Sequence, residues 1–219
     1  MPFKISPSSI SLMNECPRCF WLDKHKVWIR PNGIFPSLPS GMDSILKKHF
    51  DKFRDRGEMP PELLKGNECK DMNLFGKNDE EKEFLRKWRD NLKGIKFEDG
   101  YGNILFGALD NVLVKGNKLI VLDYKTRGFP LKENTHTYYQ NQLDVYNFLL
   151  RKNGFQTEDY SFLLFYIPEK VSQTGEIIFD TKLIKMKINP DNGFNLFLMA
   201  LKLLSEECPQ KRCVWCEGV

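Results

Sequence analysis

The 219-residue sequence has no long hydrophobic run, only three histidines and a small net charge of +4. No stretch reaches the roughly 18–20 apolar residues that a membrane-spanning helix needs, and the first 15 residues lack the apolar core of a secretory signal. We therefore expect a cytoplasmic protein with no membrane partner. Residues 1–60 carry the positive excess, with ten Lys or Arg against six Asp or Glu. This charge is compatible with a polyanionic partner without indicating one.

Cysteine is scarce in the middle of the chain, where Cys69 is the only one, and is concentrated near the two ends. The terminal cysteines are Cys16, Cys19, Cys208, Cys213 and Cys216. In a reducing cytosol, thiols at CxxC spacing more often bind metal than form disulfides, because two intervening residues place both sulfurs on one side of a turn. The alternative is that these thiols pack as small hydrophobic side chains. A metal shared by both groups would join the N- and C-terminal segments.

The order of the predicted elements indicates the α/β class, with a mixed central sheet flanked by helices. Helices are predicted through the first cysteine pair and over residues 42–57, 78–94, 138–154 and 195–207, and strands over 106–128, 160–168 and 175–188. Residues 29–41, with three prolines and two glycines, predict a loop. We expect one domain over residues 1–219, with 1–28 and 205–219 forming a cysteine-ligated subdomain and 41–100 a helical insertion.

The predicted hairpin at residues 106–128 carries charge where a buried strand should be apolar. Asp110 and Asp123 lie at the ends of its two strands, and Lys125 shares a face with Asp123 because strand side chains repeat every two positions. Two carboxylates can hold a divalent cation, and an ammonium beside it can stabilise charge on a phosphodiester or orient a nucleophile. The alternative is an exposed ion pair and a turn residue. Four apolar residues before Asp123 argue against exposure.

Several segments of the sequence resemble a known family. The segment "ALD", followed after twelve residues by "DYK", resembles the signature of the PD-(D/E)xK nuclease superfamily, with alanine and leucine where the motif name has proline. Other segments are similar to the RecB-like branch, which includes the iron–sulfur nucleases of CRISPR adaptation. They are "SSISLMNECPRCFWL", "GMDSILKKHF", "QLDVY" and the terminal cysteines. The resemblance covers essentially the whole chain and implies a restriction-endonuclease-like core.

The resemblance also implies further active-site residues. His49, on the helix of "GMDSILKKHF", would add a nitrogen ligand to a metal held by Asp110 and Asp123. Gln142 and Tyr146 match the QxxxY helix and lie on one helical face, where they could contact the phosphate or fix the catalytic lysine. The alternatives are a surface histidine at 49 and ordinary packing of the Gln–Tyr pair. Asp144, on the same helix, is expected to be solvated.

The cysteines depart from the pattern of the iron–sulfur members, which place a further cysteine after the terminal CxxC pair. Here the additional cysteine, Cys208, precedes that pair, so five candidates compete for four places. We prefer Cys16, Cys19, Cys213 and Cys216, with Cys208 as the competing fourth ligand. The resemblance favours a four-iron four-sulfur cluster, and zinc stays open because tetrahedral thiolate sites suit both.

Two functional hypotheses follow. The resemblance implies a metal-dependent deoxyribonuclease that uses Mg²⁺ or Mn²⁺ to hydrolyse phosphodiester bonds, and in particular an exonuclease acting on single-stranded DNA or free ends. Tyr138 and Tyr139 are candidates for stacking against bases, although packing at a helix start would explain them equally well. The second hypothesis is a nucleic-acid-binding subunit of a repair, CRISPR or mobile-element complex that needs a protein partner for activity. The intact set Asp110, Asp123 and Lys125 favours the enzyme.

Overall fold

A computed structural model describes residues 2–31, 33 and 37–219 of the chain. The strands are β1 (Lys4–Ile5), β2 (Asn73–Leu74), β3 (Ile95–Glu98), β4 (Ile104–Gly107), β5 (Asn111–Lys115), β6 (Lys118–Thr126), β7 (Tyr160–Val171) and β8 (Ile177–Lys187). The α-helices are α1 (Pro7–Glu15), α2 (Pro17–Lys24), α3 (Ser37–Arg56), α4 (Pro61–Leu64), α5 (Asp79–Trp88), α6 (Gln140–Lys152) and α7 (Pro190–Ser205). A short 3₁₀ helix, Thr135–Tyr139, leads directly into α6.

Within these residues the strands form two sheets. The larger has the order β2-β5-β6-β7-β8, and the smaller has the order β1-β4-β3. In the larger sheet β6 and β7 are parallel, whereas the other neighbouring strands are antiparallel. The sheet is therefore mixed, as predicted, and β8 is an edge strand whose last residues alternate between apolar and polar.

The larger sheet lies between two apolar cores. One face packs with α6 and α7 through side chains such as Val121 and Phe165. The other face packs with α3 through side chains such as Ile120 and Leu122, which meet Phe50 of the helix. Strand β6 is consequently buried on both faces, and each large apolar side chain buried there contributes roughly 1.5–3 kcal/mol. A mixed sheet flanked by helices is confirmed.

Proline 17 divides the predicted N-terminal helix into α1 and α2. The residue before a proline is driven to extended conformation, and Cys16 has φ −155° and ψ 102°. Pro17 then occupies the first turn of α2, where its missing N–H costs nothing. At the other end of α1, Ser6 and Ser9 form a reciprocal capping box. The break places Cys16 at the start of α2, one turn before Cys19.

The loop prediction for residues 29–41 is only partly testable, because residues 32 and 34–36 lie outside the described part of the chain. From Ser37 onward this segment is helical and begins α3. Pro39 does not prevent the helix, since proline is tolerated in the first turn.

The expected helical insertion at residues 41–100 needs correction. Besides α3, α4 and α5 it contains β2, which pairs with β5, and β3, which pairs with β4. The segment thus contributes an edge strand to each sheet. Strands of two and four residues carry too few positions for an apolar period to reveal them.

Asp144 corrects a second expectation, because it is buried and not solvated. Its carboxylate accepts hydrogen bonds from the backbone N–H of Asn189 at 2.7 Å and from Asn192 Nδ2 at 2.7 Å, at the start of α7. Gly193 lies beside it and allows α7 to approach the backbone of α6 closely. The carboxylate therefore joins α6 to the N-terminal end of α7, where a negative charge is favourable.

No helix in the described residues is both long enough and apolar enough to cross a membrane.

The close contact between α6 and α7 predicts that one methyl group added at Gly193 destabilises the protein. A Cβ at Gly193 would lie 2.7 Å from the backbone oxygen of Asp144, which cannot move without displacing α6. We expect Gly193→Ala to lower the free energy of unfolding by about 1–3 kcal/mol, as overpacking does. The matched control is Gly41→Ala in α3, where nothing lies within 4 Å of the added atom. The control should be neutral or stabilising by up to about 1 kcal/mol. Urea unfolding measures both, and equal stability of the two variants would contradict the close-approach argument.

Candidate active site

The charged residues of the hairpin converge where β5 begins and β6 ends. Asp110 immediately precedes β5, while Asp123 and Lys125 lie near the end of β6. The pairing of Asn111 with Leu122 places Asp110 beside Asp123 across the ladder. Asp123 and Lys125 face α6, because the intervening Tyr124 belongs to the opposite core. The structure therefore brings the two aspartates and the lysine together, as the sequence spacing indicated.

Asp123 is a carboxylate in an apolar layer, with 1% of its surface exposed. Burial raises its pKa from 3.8 to about 7; the Lys125 ammonium opposes this rise and the Asp110 carboxylate adds to it. One oxygen, Oδ2, forms an ion pair with Lys125 Nζ but no regular hydrogen bond. Burial also opposes charge on Lys125, but Asp123 and Asp110 raise the pKa of the ammonium above its ordinary value. The lysine is therefore held as a cation.

The predicted pair on α6 contacts this carboxylate directly. Gln142 Nε2 donates to Asp123 Oδ1 at 3.3 Å and to the Tyr146 hydroxyl at 2.7 Å. The Tyr146 ring is buried against Gly107, where a Cβ would lie 2.8 Å from the ring. Glycine is thus required at the end of β4 for the tyrosine to reach its position. Gln142 and Tyr146 fix the orientation of the Asp123 carboxylate from the helical side.

Asp110 is held by groups that the sequence analysis did not identify. Its Oδ2 accepts from the backbone N–H of Tyr124 at 3.1 Å, and its own carbonyl accepts from Arg89 Nε at 2.8 Å. The neighbouring Asn111 side chain accepts from the buried Arg54 Nη2 at 2.6 Å and donates to the Tyr124 hydroxyl. Arg54 of α3 and Arg89, which directly follows α5, therefore fix the backbone at the start of β5. Arg54 continues the buried row of α3 at i, i+4 spacing, but no local pattern in the sequence reveals which distant group its guanidinium contacts.

His49 is not brought to the two aspartates. Its Nε2 lies 2.8 Å from Glu62 Oε1, and its ring packs against Phe53. The α3 residue that reaches Asp110 is Lys47, whose Nζ lies 3.4 Å from Asp110 Oδ1. Residues two apart on a helix point about 200° away from each other, so 47 and 49 cannot share a face. The helix that was expected to supply a histidine supplies a lysine instead.

An open cavity of about 1020 Å³ lies at this group of residues. It is lined by Asp110, Asp123, Lys125, Gln142 and Tyr146, and also by the serines of α1 and by Tyr138 and Tyr139. Tyr138 is 77% exposed, whereas the ring of Tyr139 lies under the Lys125 ammonium at 4.7 Å. Tyr138 is therefore available to a ligand, and Tyr139 supports the lysine.

The carboxylate pair, Asp110 and Asp123, fits a hard divalent cation. Mg²⁺ commonly uses one or two protein carboxylates and completes its shell with water and substrate oxygens. Both aspartates line the open cavity, and each is compensated by an ammonium, Lys47 for one and Lys125 for the other. Asp123 Oδ2 in addition forms no regular hydrogen bond. A divalent cation would supply the positive charge that these oxygens require.

A second group of ligand atoms joins the ends of the chain. The sulfur atoms of Cys16, Cys19, Cys213 and Cys216, hereafter the cysteine site, all lie within 4.8 Å of one another. Cys19 Sγ lies 3.5 Å from Cys213 Sγ, and Cys16 Sγ lies 3.9 Å from Cys216 Sγ. The expectation that N- and C-terminal segments meet at these four cysteines is confirmed. Four thiols at this spacing can bind a metal or a metal cluster.

The fifth candidate, Cys208, has a different partner. Its sulfur accepts from Arg18 Nη1 at 3.2 Å, and the same guanidinium donates to the carbonyls of Pro209 and Val219. Arg18 thus orders the segment around the cysteine site without contributing a ligand. Cys69 is remote from both groups and is buried among apolar side chains.

The thiols of the cysteine site differ in their ease of ionisation. Burial raises the pKa of Cys19 from 9.0 to about 12, although Arg30 opposes the rise. Desolvation also opposes ionisation of Cys213, but a backbone N–H of Trp215 and the neighbouring thiols lower its pKa to about 6. Thiolate at all four positions needs added positive charge, which a bound metal provides.

Comparison with known proteins agrees with this geometry. The family model described as the PD-(D/E)XK nuclease superfamily matches residues 4–217. The match extends from β1 through both aspartates and the lysine to the second cysteine pair. No curated protein matches the chain.

Proposed function

Because the chain belongs to the PD-(D/E)XK nuclease superfamily, whose members are typically metal-dependent nucleases acting on nucleic acid, we propose that it is a deoxyribonuclease that requires Mg²⁺ or Mn²⁺. The observation that carries the proposal is the convergence of Asp110, Asp123 and Lys125 in one open cavity, with Gln142 bonded to the buried carboxylate. A purely structural ion pair between Asp123 and Lys125 would need neither the Asp110 carboxylate nor the Gln142 amide beside it at an open cavity.

In this proposal Asp110 and Asp123 hold the divalent cation. Bound there, the metal supplies Lewis acidity toward a phosphate oxygen and an activated water. Gln142 donates to Asp123 Oδ1, so Oδ2, which pairs with Lys125 in the structure, would be the oxygen that a cation takes over. Tyr146, through Gln142, keeps the carboxylate in this orientation. His49 is not included among the ligands, because its ring nitrogen contacts Glu62.

Lys125 acts as a cation and not as a base. Its pKa is raised by the two carboxylates, so Nζ keeps its proton at neutral pH. The ammonium, at the cavity, would be placed to donate to a phosphate oxygen or to the attacking water. The ring of Tyr139 holds Nζ at the cavity by a cation–π contact.

The placement within the superfamily that we propose is the RecB-like branch, and the proposed substrate is single-stranded DNA with a free end. The QxxxY pair in contact with Asp123 and the paired terminal cysteines support the branch. The exposed Tyr138 at the cavity supports a single strand, since a base can stack on it for roughly 1–3 kcal/mol. The serine side chains of α1 line the same cavity and offer hydroxyl donors to a sugar–phosphate backbone.

For the cysteine site we propose a single zinc ion. A tetrahedral ion with bonds of about 2.3 Å to each sulfur spaces the sulfurs roughly 3.8 Å apart. The sulfur–sulfur distances of 3.5, 3.7 and 3.9 Å agree with that spacing. A four-iron cluster, which the sequence resemblance favoured, would hold its thiolates farther apart because four irons and four sulfides lie between them. In either case the metal joins α2 to the last segment and has a structural role.

The first test concerns catalysis. We expect the purified protein to cleave a labelled linear single-stranded oligonucleotide with Mg²⁺ or Mn²⁺ and to stop when chelator is added. Asp123→Asn should reduce the rate by about 100-fold or more, because it removes a group that organises charge in the transition state. Circular dichroism checks that the variant is folded. The control is Asp159→Asn, an exposed carboxylate paired with Arg151 outside the cavity. Unchanged cleavage by Asp123→Asn would remove the central claim.

The form of the substrate tests the free-end proposal. Linear single-stranded, circular single-stranded and blunt duplex DNA are compared under identical Mn²⁺ conditions. We expect rapid degradation of the linear single strand and survival of the circle, because a strand must be threaded past Tyr138 to reach the metal. Rapid loss of the circle would show internal cutting and contradict an exonuclease. Cleavage of none of the three would favour the partner-dependent binding subunit.

The metal of the cysteine site is identified by elemental analysis. Protein from cells supplied with both iron and zinc, purified without oxygen, should contain one equivalent of zinc and be colourless. Cys216→Ser should lose the zinc and lower the Tm by about 5 °C or more, since each kcal/mol shifts Tm by about 2–4 °C at this size. Cys208→Ser should keep the zinc, because its sulfur contacts Arg18. A brown protein containing four irons would overturn zinc in favour of the cluster.

A further inference from the structure

The carboxylate pair is compensated by two ammonium groups that come from opposite sides of the sheet. Lys125 belongs to β6 and is paired with Asp123. Lys47 belongs to α3, on the other face of the sheet, and its Nζ lies 3.4 Å from Asp110 Oδ1. Each aspartate therefore has one ammonium beside the oxygen that a metal would use. Only Lys125 belongs to the family signature.

Lys47 differs from Lys125 in having a second counter-ion. Its Nζ lies 2.8 Å from Asp43 Oδ2, one helical turn earlier on α3. Asp43 is more exposed than Asp110, with 41% against 20% of the side chain accessible. The ammonium can therefore leave Asp110 and remain paired, because the Asp43–Lys47 pair lies wholly within one helix.

A divalent cation bound at Asp110 Oδ1 would compete with Lys47 for that oxygen. An ammonium 3.4 Å from the ligating oxygen would be only a few ångströms from the metal, where like charges repel strongly in a partly buried site. Side-chain accessibility of 23% leaves Lys47 room to move. The Lys47 ammonium also acts on Asp123, the second proposed ligand, because it is among the groups that stabilise the ionised form of that carboxyl group.

We propose that Lys47 is an exchangeable counter-ion of the metal site: it neutralises Asp110 while the metal is absent, and it pairs with Asp43 alone when the metal binds. The proposal rests on the proposed nuclease function and adds a residue to it. No covalent step is involved, because the lysine only changes its electrostatic partners. Asp43 acts through Lys47 as a positioning residue, and the phosphate contact stays with Lys125.

The proposal predicts opposite effects of two neighbouring substitutions on metal affinity. Lys47→Met removes the competing ammonium, so Mn²⁺ should bind about twofold to fivefold more tightly, the range expected for one partly exposed charge. Asp43→Asn removes the alternative partner, so Lys47 stays on Asp110 and Mn²⁺ should bind more weakly. The double variant should behave like Lys47→Met, because Asp43 acts only through the lysine. Isothermal titration or electron paramagnetic resonance with Mn²⁺ alone measures all three.

Matched controls separate this effect from a general change of surface charge. Lys48→Met removes an exposed lysine from the adjacent position of α3 and should leave Mn²⁺ affinity unchanged. Lys47→Arg keeps the charge and should retain most of the wild-type competition.

Three outcomes would overturn the proposal. Equal Mn²⁺ affinity in Lys47→Met and wild type would show a surface ion pair without a functional role. Weaker Mn²⁺ binding in Lys47→Met would show that the lysine orders Asp110 for the metal instead of competing with it. A double variant that binds Mn²⁺ more weakly than Lys47→Met would make Asp43 a ligand in its own right. The Mn²⁺ titrations require no turnover, so failure of the nuclease proposal is read separately, from the cleavage assay.

Discussion

The burial of an ionisable carboxylate at the end of β6 is the constraint on which the rest of the structure depends. Taking one ion out of water costs several kcal/mol even after the protein relaxes, and Asp123 is 1% exposed. The surrounding groups offset that cost: an ammonium at Lys125, an amide at Gln142 and a polar environment at the mouth of the cavity. Helix α6 must therefore lie on the Asp123 face of the sheet. A sheet with an apolar side chain in place of Asp123 would avoid this cost, but it would lack the buried carboxylate of the candidate active site.

Much of the fold and half of the site could be predicted from the sequence, because their signals are local. A β-branched run around a Lys-Gly-Asn turn defines the hairpin, and a period of two decides which residues of β6 share a face with Asp123. The i, i+4 spacing of Gln142 and Tyr146 places both on one side of α6, where the structure puts them beside the carboxylate. The break between α1 and α2 has an equally local cause, since the effect of Pro17 on the preceding residue is steric.

The remaining features depend on contacts between distant segments, which no window of sequence contains. Arg54 lies on the buried face of α3 and Arg89 directly after α5, and only tertiary packing places both against the start of β5. Lys47 and His49 are both plausible on α3, and only the rotation of that helix against the sheet selects the lysine. Which four of the five terminal cysteines lie together is also a matter of tertiary packing, since Arg18 contacts Cys208 and the other four sulfurs meet.

Helix α1 connects the cavity at the two aspartates with the cysteine site. Its first turn lines the cavity through Ser6 and Ser8, and its last residue is followed by Cys16 of the cysteine site. Nine helical residues make a rod of about 13 Å, too short to bend appreciably. A group that fixes Cys16 at the cysteine site therefore also fixes the far end of α1, so the position of the cavity serines depends on the closure of the two chain ends.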